Sequence, residues 1–172
     1  LLAGEGCHVA HCPASNLKLG SGIAPVTAMR RAGMNVGVGT DSAASNNRLD
    51  MFAEIRLAAL LAKGSSSDAS ALPAQAVLEM ATLNAARALG LEMSIGSLRP
   101  GKRADMVAVD LGALELSPCY DPLSHLVYAA GREHVSHVWV DGDLRVENWK
   151  IIGLDESELK AKGRYWRDKI RG

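Results

Sequence analysis

Asp41 is the acidic residue whose position best suits catalysis. It follows an apolar run within the stretch VGVGTDSAAS, residues 36–45. Small and branched apolar residues in succession are typical of a parallel strand that is buried on both faces. In α/β folds, ligands and catalytic groups lie just beyond the carboxyl ends of such strands. A carboxylate there can bind a divalent metal, accept a proton from a metal-bound water, or do both. The alternative is an aspartate that only bonds the backbone of the next turn.

A second set of polar residues follows the preceding apolar stretch. His11 ends that stretch, and Ser15 and Asn16 lie in the segment after it. We predict that these three side chains bind substrate. The alternatives are a hydrogen-bonded structural histidine and side chains that satisfy only their own backbone. His8 and His11 are not predicted to chelate one ion, because strand residues three apart point to opposite faces.

The other histidines and the cysteines are predicted to have no catalytic role. His134 and His137 share the three-residue spacing, and their hairpin context predicts a surface position; His125 has no evident partner. The three cysteines lack CxxC spacing, which favours a reduced, cytoplasmic setting, and no base accompanies Cys12 as a nucleophile. The motifs GxxxxGK[ST], GxGxxG and GxSxG do not occur, so nucleotide-phosphate loops and serine-hydrolase elbows have no support.

Composition narrows the class of protein. The chain has 172 residues, of which 48% are hydrophobic and 4% aromatic, enough for one ordinary domain or a partial domain with a small one. Nineteen basic and nineteen acidic residues are well mixed, so neither nucleic acid nor an acidic membrane surface is a predicted partner. No apolar run approaches the roughly 20 residues that span a bilayer.

The first half of the chain is predicted to alternate strands and helices. In order, the elements are a strand at 7–11, a loop at 14–22, a helix at 26–32, a strand at 35–39 and a helix from 49 or 50 to 63. Gly64 is predicted to end this last helix as its C′ residue. The order β-α-β-α is typical of parallel strands joined by crossover helices. Residues 1–6 lack Met and a capping residue, which predicts a start within a helix that is already under way.

The composition changes near residues 91–96. Before this change, a polar linker is predicted at 64–70 and one helix from Pro73 to Gly90. After it, the predicted elements are a strand at 104–109, a helix at 123–130, a hairpin of 135–140 with 143–146, and a tail helix. Asp141-Gly142 predicts a type I′ turn in the hairpin. Asp155 and Glu158 predict a capping box for the tail helix, whose apolar face carries Leu159, Trp166 and Ile170.

Several motifs in this order resemble the amidohydrolase superfamily. The segments are HVAHCPASNLKLGSGIAPV and GMNVGVGTDSAASNNRLDMFAEIRLAALL. They are similar to the branch that holds 5-methylthioadenosine/S-adenosylhomocysteine deaminases, guanine deaminases and triazine chlorohydrolases. HCPASNLKL resembles the stretch at barrel strand 7, and GTDSAASNN resembles strand 8 with its loop. ATLNAARALG, GSLRPGKRADMVAVD and VSHVWVDG resemble the helix after the barrel and the composite β-domain.

This resemblance implies an α/β fold class: the last two βα units of a (β/α)8 barrel, followed by part of a small composite β-domain. The implied boundaries are residues 1–93 for the barrel portion, 94–150 for the β-rich domain and 151–172 for a terminal helix. A complete barrel takes about 250 residues. The chain is therefore expected to be a C-terminal fragment.

The resemblance also implies chemistry. The family hydrolyses C–N bonds on purine-like or triazine rings with water activated by one divalent metal, zinc or iron. Asp41 matches the strand-8 aspartate, which binds the metal and acts as general base. The family's other ligands, an HxH pair and a further histidine, have no counterpart in this sequence. Because such a site needs about three or four protein ligands, the isolated chain is predicted to be inactive.

Three alternatives remain open at this point. The first is a deaminase of a purine nucleoside-like small molecule, and the second is a guanine deaminase or chlorohydrolase relative. The third is a non-catalytic oligomerising module derived from such an enzyme. Under all three we expect a homo-oligomer, because uncovered apolar edges favour self-association.

Overall fold

The structure is a computed structural model that describes residues 2–172 and contains two β-sheets. The strands are β1 (His8–His11), β2 (Asn35–Val38), β3 (Met106–Val109), β4 (Val135–Val140), β5 (Asp143–Glu147) and β6 (Lys150–Ile151). Strands β1 and β2 form a parallel pair, and β3 to β6 form an antiparallel sheet in sequential order. The parallel pair confirms the two strands predicted for the first half.

Seven α-helices accompany the strands in the described part of the chain. They are α1 (Pro13–Lys18), α2 (Val26–Arg31), α3 (Met51–Ser66), α4 (Ala74–Ala81), α5 (Leu83–Ala88), α6 (Pro122–Tyr128) and α7 (Glu156–Arg171). Short 3-10 turns cover Leu2–Glu5, Leu114–Leu116 and Arg132–His134. The last helical turn predicted for residues 1–6 is a 3-10 turn over Leu2–Glu5, and Leu1 lies outside the described residues.

Strand β2 is buried on both faces, as its composition predicts. Val36, Gly37 and Val38 are all buried. The two valines contribute to a core with residues of α3 and α4, among them Ile55, Ala58, Val77 and Met80. On the other face, a Cβ added at Gly37 would lie 3.3 Å from the Cα of Ala85 in α5. The absence of a side chain therefore lets α5 pack directly on the strand.

Residues 14–18 of the predicted loop are helical, whereas residues 19–22 form no helix or strand. Helix α1 begins at Pro13 and continues to Lys18. Proline suits this position because the first helical N–H needs no intrahelical partner and the ring fixes φ near its helical value. The error came from the polar composition of the segment, which does not exclude a helix held by its neighbours.

The prediction that Gly64 ends the long helix was also wrong. Asp50 begins α3 by accepting hydrogen bonds from the N–H groups of Phe52 and Ala53, as expected of an N-cap. The helix then continues to Ser66, and Ser67 in the left-handed conformation ends it. Glycine inside a helix costs only about 1 kcal/mol. Lys63 offsets part of that cost, because its Nζ binds two backbone carbonyls beyond the helix end.

The helix predicted from Pro73 to Gly90 is two helices. The break lies at Thr82, whose φ of −126° and ψ of −92° are not helical. Its hydroxyl donates to the carbonyl oxygen of Leu78 at 2.7 Å, a side-chain bond that competes with the helical pattern. The change of direction places Asn84 where its Nδ2 donates to the carbonyl oxygen of Val36 in β2.

From residue 104 onward, the predicted strand, short helix, hairpin and tail helix are all present, and β6 was not predicted. Asp121 begins α6 by accepting from the N–H groups of Leu123 and Ser124. Asp141 and Gly142 have φ of 54° and 85°, which confirms the type I′ turn between β4 and β5.

Helix α7 has sixteen residues and no buried side chain. The predicted capping box is half formed: Asp155 accepts from the N–H groups of Ser157 and Glu158. The carboxylate of Glu158 instead pairs with Lys162 at 2.6 Å. Within residues 2–172, no helix is both long and apolar enough to cross a membrane.

Candidate active site

Asp41 lies three residues beyond β2, at the carboxyl end of the parallel pair. The residue is exposed and its φ is +60°. Positive φ is uncommon for residues other than glycine, and aspartate is among the types that tolerate it best. The backbone therefore turns sharply at the residue that the sequence identifies as the candidate ligand.

The carboxylate of Asp41 accepts three hydrogen bonds. Its Oδ2 accepts from the hydroxyls of Ser15 at 2.6 Å and Ser45 at 2.9 Å. Its Oδ1 accepts from the N–H of Ser42 at 2.8 Å. The Ser15 hydroxyl bond contributes most to holding the pKa of Asp41 below its ordinary value, followed by the bonds from Ser42 and Ser45. Asp41 is therefore ionised at neutral pH and held in one orientation.

Acceptor capacity remains on one of the two oxygens. An ionised carboxylate offers about four lone-pair sites, two on each oxygen. In Asp41 the two serine hydroxyls fill Oδ2, and Oδ1 has one donor. An exposed, ionised oxygen with a vacant lone pair is a suitable donor for a divalent metal. The geometry of Asp41 thus fits one ligand of a metal site.

His11 is 3% exposed at the end of β1. Burial lowers the pKa of its imidazole, so the ring is neutral near pH 7. Its register partner in β2 is the core residue Val38, and its Nδ1 has no hydrogen-bond partner in the described part of the chain. His11 and Asp41 are not joined by a hydrogen bond. Substrate binding by His11 remains a prediction.

Ser15 and Asn16 occupy helix α1. Ser15 is 2% exposed and its hydroxyl is committed to Asp41. Asn16 is half-buried, and its N–H donates to the carbonyl oxygen of Cys12. Ser15 thus contributes to the candidate site through Asp41, and contact of either residue with substrate remains a prediction.

The thiol of Cys12 lies close to the same cluster. Burial raises its pKa, and the negative charge of Asp41 raises it further. Because the thiolate is the nucleophilic form, a raised pKa agrees with the interpretation that Cys12 is not a nucleophile.

Two buried residues near the candidate site, one in α3 and one in the loop after β2, were not predicted from the sequence. Glu54 is 1% exposed in α3, and Asn46 is 6% exposed in the loop after β2. The amide Nδ2 of Asn46 donates to Oε1 of Glu54 at 2.7 Å. The available signal was the position of Glu54, which precedes the buried residue Ile55 on the apolar side of α3.

The prediction that His134 lies at the surface was wrong. His134 is 6% exposed. Its Nδ1 accepts from the N–H of Gly131 at 3.0 Å, so Nε2 carries the proton and donates to Oε1 of Glu115 at 3.0 Å. The backbone enters a 3-10 turn before β4 begins, which directs His134 inward. His137 is half-buried and stacks on Trp139 with ring centroids 5.6 Å apart.

No three His, Cys, Asp or Glu side chains among residues 2–172 lie together in a way that could hold a metal ion. Asp41 is therefore a single candidate ligand in the described part of the chain.

The chain belongs to the amidohydrolase family. The sequence profile of the Amidohydrolase family matches residues 2–145. The 5-methylthioadenosine/S-adenosylhomocysteine deaminase of Teredinibacter turnerae is 49% identical over 170 residues, which cover 99% of this chain and 38% of the relative. The 5'-deoxyadenosine deaminase of Methanosarcina acetivorans is 50% identical over 157 residues, 91% of this chain and 36% of that relative.

Solved structures agree with this assignment. An adenosine deaminase from Xanthomonas campestris with bound zinc superposes with a TM-score of 0.96 at 51% identity, over 99% of this chain and 39% of the other. The atrazine chlorohydrolase of Arthrobacter aurescens in complex with zinc gives a TM-score of 0.86 at 31% identity, over 93% and 36%. The chain spans less than two fifths of the length of these relatives.

Proposed function

We propose that this chain is the C-terminal part of a metal-dependent aminohydrolase that deaminates a purine nucleoside-like molecule. In this proposal, residues 1–93 contribute the last two βα units of a (β/α)8 barrel. Residues 94–150 belong to the composite β-domain, and residues 151–172 form a terminal helix. The observation that carries the proposal is the ionised Asp41 carboxylate beyond β2, with a vacant lone pair on Oδ1.

Asp41 would hold the metal through Oδ1. A bound zinc or iron ion lowers the pKa of a coordinated water from its bulk value towards about 7. Asp41 would act as general base for that water: the proton would be held on Oδ2, which would then donate to the hydroxyl oxygen of Ser15 or Ser45, in reversal of one of the present hydrogen bonds. His11, Ser15 and Asn16 are proposed as the nearby groups that face substrate.

The identity of the relatives supports a purine nucleoside as the substrate class. Deaminases of 5-methylthioadenosine, S-adenosylhomocysteine and 5'-deoxyadenosine are 49–50% identical to this chain. Hydrolysis of a substituted triazine is a second candidate, which the TM-score of 0.86 to the chlorohydrolase favours. The lower identity of that neighbour, 31%, makes it the weaker candidate.

The remaining metal ligands would come from polypeptide outside this sequence. A zinc site takes about three or four protein ligands, and no three His, Cys, Asp or Glu side chains of the described residues lie together to supply them. We therefore propose that the chain by itself neither holds the metal at stoichiometric occupancy nor catalyses deamination, and that it self-associates through the faces that the missing barrel strands would cover.

A chimera tests the proposal. The N-terminal remainder of the Teredinibacter turnerae relative, which this chain does not match, is joined to residues 1–172, and deamination is followed by ultraviolet absorbance of the purine. We expect zinc at one ion per chain and turnover of 5-methylthioadenosine in the chimera, and neither for residues 1–172 alone. Atraton-type and chloro-triazines serve as the second substrate class.

Three results would contradict the proposal in different ways. Turnover by the isolated chain would show that Asp41 does not depend on outside ligands. A folded chimera that binds no zinc would favour the non-catalytic module. Preferential turnover of a triazine would replace the purine substrate by the second candidate.

A further inference from the structure

We infer that Glu54 and Asn46 form a buried brace that positions the Asp41 carboxylate, an inference that rests on the function proposed for Asp41. Neither side chain is hydrogen-bonded to Asp41. Each is instead bonded to a segment that determines where the carboxylate lies.

The carboxylate of Glu54 is bonded to two separate segments. Its Oε2 accepts from the N–H of Ala14 in α1 at 3.1 Å, and its Oε1 accepts from Nδ2 of Asn46 at 2.7 Å. The side chain is 1% exposed. Burial of a carboxylate is unfavourable unless hydrogen bonds replace those to water, so both contacts are needed to keep this group in the interior.

Asn46 connects Glu54 to the residue before Asp41. Its Nδ2 donates a second hydrogen bond to the carbonyl oxygen of Thr40 at 2.9 Å. Because the partners of Nδ2 are a carbonyl and a carboxylate, both acceptors, position 46 requires an NH₂ group. Its Oδ1 accepts from the N–H of Leu49 at 3.4 Å, which uses the other end of the amide.

The brace therefore fixes the backbone on both sides of the Ser15–Asp41 hydrogen bond. Ala14 directly precedes Ser15, and Thr40 directly precedes Asp41. A shift of either segment would lengthen the 2.6 Å bond between the Ser15 hydroxyl and Oδ2. Glu54 is thus a positioning residue, hydrogen-bonded to the supports of Asp41 and not to Asp41 itself.

A second contact between α1 and this loop lies at the surface and provides a control. Nζ of Lys18 donates to the carbonyl oxygen of Ala44 at 3.0 Å and to Oδ1 of Asn47 at 2.7 Å. All three residues are exposed, so water can replace these bonds. Asn46 is buried, and the adjacent Asn47 is exposed. The same substitution at each of the two asparagines therefore gives a matched pair of variants.

The experiment uses nuclear magnetic resonance on the 172-residue chain without metal. The reporter is the amide proton of Ser42, which donates to Oδ1 of Asp41 at 2.8 Å. The variants are Glu54→Gln, Asn46→Asp and the double variant. Each single change opposes like groups. The double variant again pairs an amide N–H with a carboxylate and keeps an acceptor for the Ala14 N–H, but it leaves the carbonyl oxygen of Thr40 without its donor from position 46.

We expect both single variants to move the Ser42 amide proton upfield. The amide exchange of Ser45 and Asn46, whose N–H groups bind the carbonyl oxygen of Ser42, should accelerate about 10- to 100-fold, the effect of losing one hydrogen bond to a charged group. The double variant should recover part of both changes, because it restores the pair between positions 46 and 54 but not the bond to the carbonyl oxygen of Thr40. The controls Asn47→Asp and Glu79→Gln, at exposed positions, should leave both signals unchanged.

Two results would overturn the inference. A lower unfolding midpoint with an unchanged Ser42 signal would mean that the brace only stabilises the fold. Single-variant effects that the double variant does not reduce would mean that positions 46 and 54 act separately. Where a single variant does not fold, Asn46→Ser, which keeps one donor, is measured in its place and is expected to show a smaller upfield movement. None of these readouts uses metal or substrate, so a failed deamination assay and a failed brace test are distinguishable.

Discussion

Two exposed aspartates, Asp41 after β2 and Asp121 before α6, have the same chemistry but different hydrogen-bond donors. Serine hydroxyls are the largest cause that lowers the pKa of each carboxyl group. Every donor to Asp121 lies two or three residues further along the chain. The shortest hydrogen bond to Asp41 comes from Ser15, which lies 26 residues earlier in helix α1.

This difference separates a helix cap from a candidate site. A cap needs only the N–H groups of the first turn that follows it, and Asp121 has that arrangement. Asp41 precedes a turn and not a helix, so capping does not explain it. A carboxylate oriented from a distant element, with a vacant lone pair on Oδ1, is what a metal ligand requires.

The largest loss of stability is predicted for a change at His134, a buried side chain whose two ring nitrogens are both hydrogen-bonded. Replacement of His134 by Ala leaves the N–H of Gly131 without its acceptor inside the fold. We expect His134→Ala to lower the free energy of unfolding by about 2–4 kcal/mol, the range for a buried hydrogen-bonded side chain, as measured by urea denaturation.

Glu115→Gln is the control for that variant, because the amide oxygen still accepts from Nε2 of His134. Its expected effect is below about 1 kcal/mol. Loss of zinc from the chimera on His134→Ala, with the fold intact, would contradict the assignment of His134 to a structural role.

A smaller loss of stability is predicted for a change in β2, the strand that precedes Asp41. Gly37→Ala places a Cβ 3.3 Å from the Cα of Ala85, and we expect a loss of about 1–3 kcal/mol from overpacking. The matched change Gly163→Ala meets no atom within 4 Å in α7 and should increase helix content, because alanine is the better helix former. Equal effects of the two changes in circular dichroism and urea denaturation would contradict the close packing of α5 on β2.

How much of this fold could be predicted depends on whether the determining contacts are local. The type I′ turn at Asp141-Gly142 depends on neighbours in sequence, and it was predicted. The break at Thr82 allows Asn84 to bond the carbonyl oxygen of Val36 in another element, and the extension of α3 past Gly64 is supported by bonds from Lys63 to carbonyls beyond the helix end. Propensity alone does not contain those contacts.

The residues of the candidate site also differ in whether the sequence alone could identify them. Asp41 is predictable because a buried parallel strand precedes it directly. Glu54 and Asn46 could not be assigned from sequence, because their roles depend on Ala14 and Thr40 approaching in space. The inward position of His134 depends likewise on a 3-10 turn that hydrophobic periodicity does not predict.

The smallest predicted effect is on the pH dependence of stability. It compares Ser15, which donates to Asp41, with Ser124, which donates to Asp121. The folded pKa of Asp41 and of Asp121 lies below the ordinary value. The stabilisation from each is therefore present above about pH 4 and is lost as the pH falls through the depressed folded value. Ser15→Ala should raise the pKa of Asp41 and leave Asp121 unchanged, and Ser124→Ala should do the reverse.

Carbon-13 carboxyl titration measures both values in one sample. Ser124→Ala should also fray the first turn of α6, whereas Ser15→Ala should leave α6 intact. A change in the Asp121 titration on Ser15→Ala would mean that the two regions are coupled, which the structure does not predict.

The central claim is that Asp41 is a metal ligand, and Asp41→Asn in the chimera tests it most directly. The measurement is the zinc dissociation constant, with Asp121→Asn as the matched control. The account predicts that Asp41→Asn weakens zinc binding at least about 100-fold, since an inner ligand contributes more than the 10- to 100-fold typical of supporting residues, and that the control binds zinc as the parent does. A zinc affinity within about threefold of the parent in a folded Asp41→Asn chimera would contradict the claim, because about 0.6 kcal/mol is far below what loss of a ligand costs.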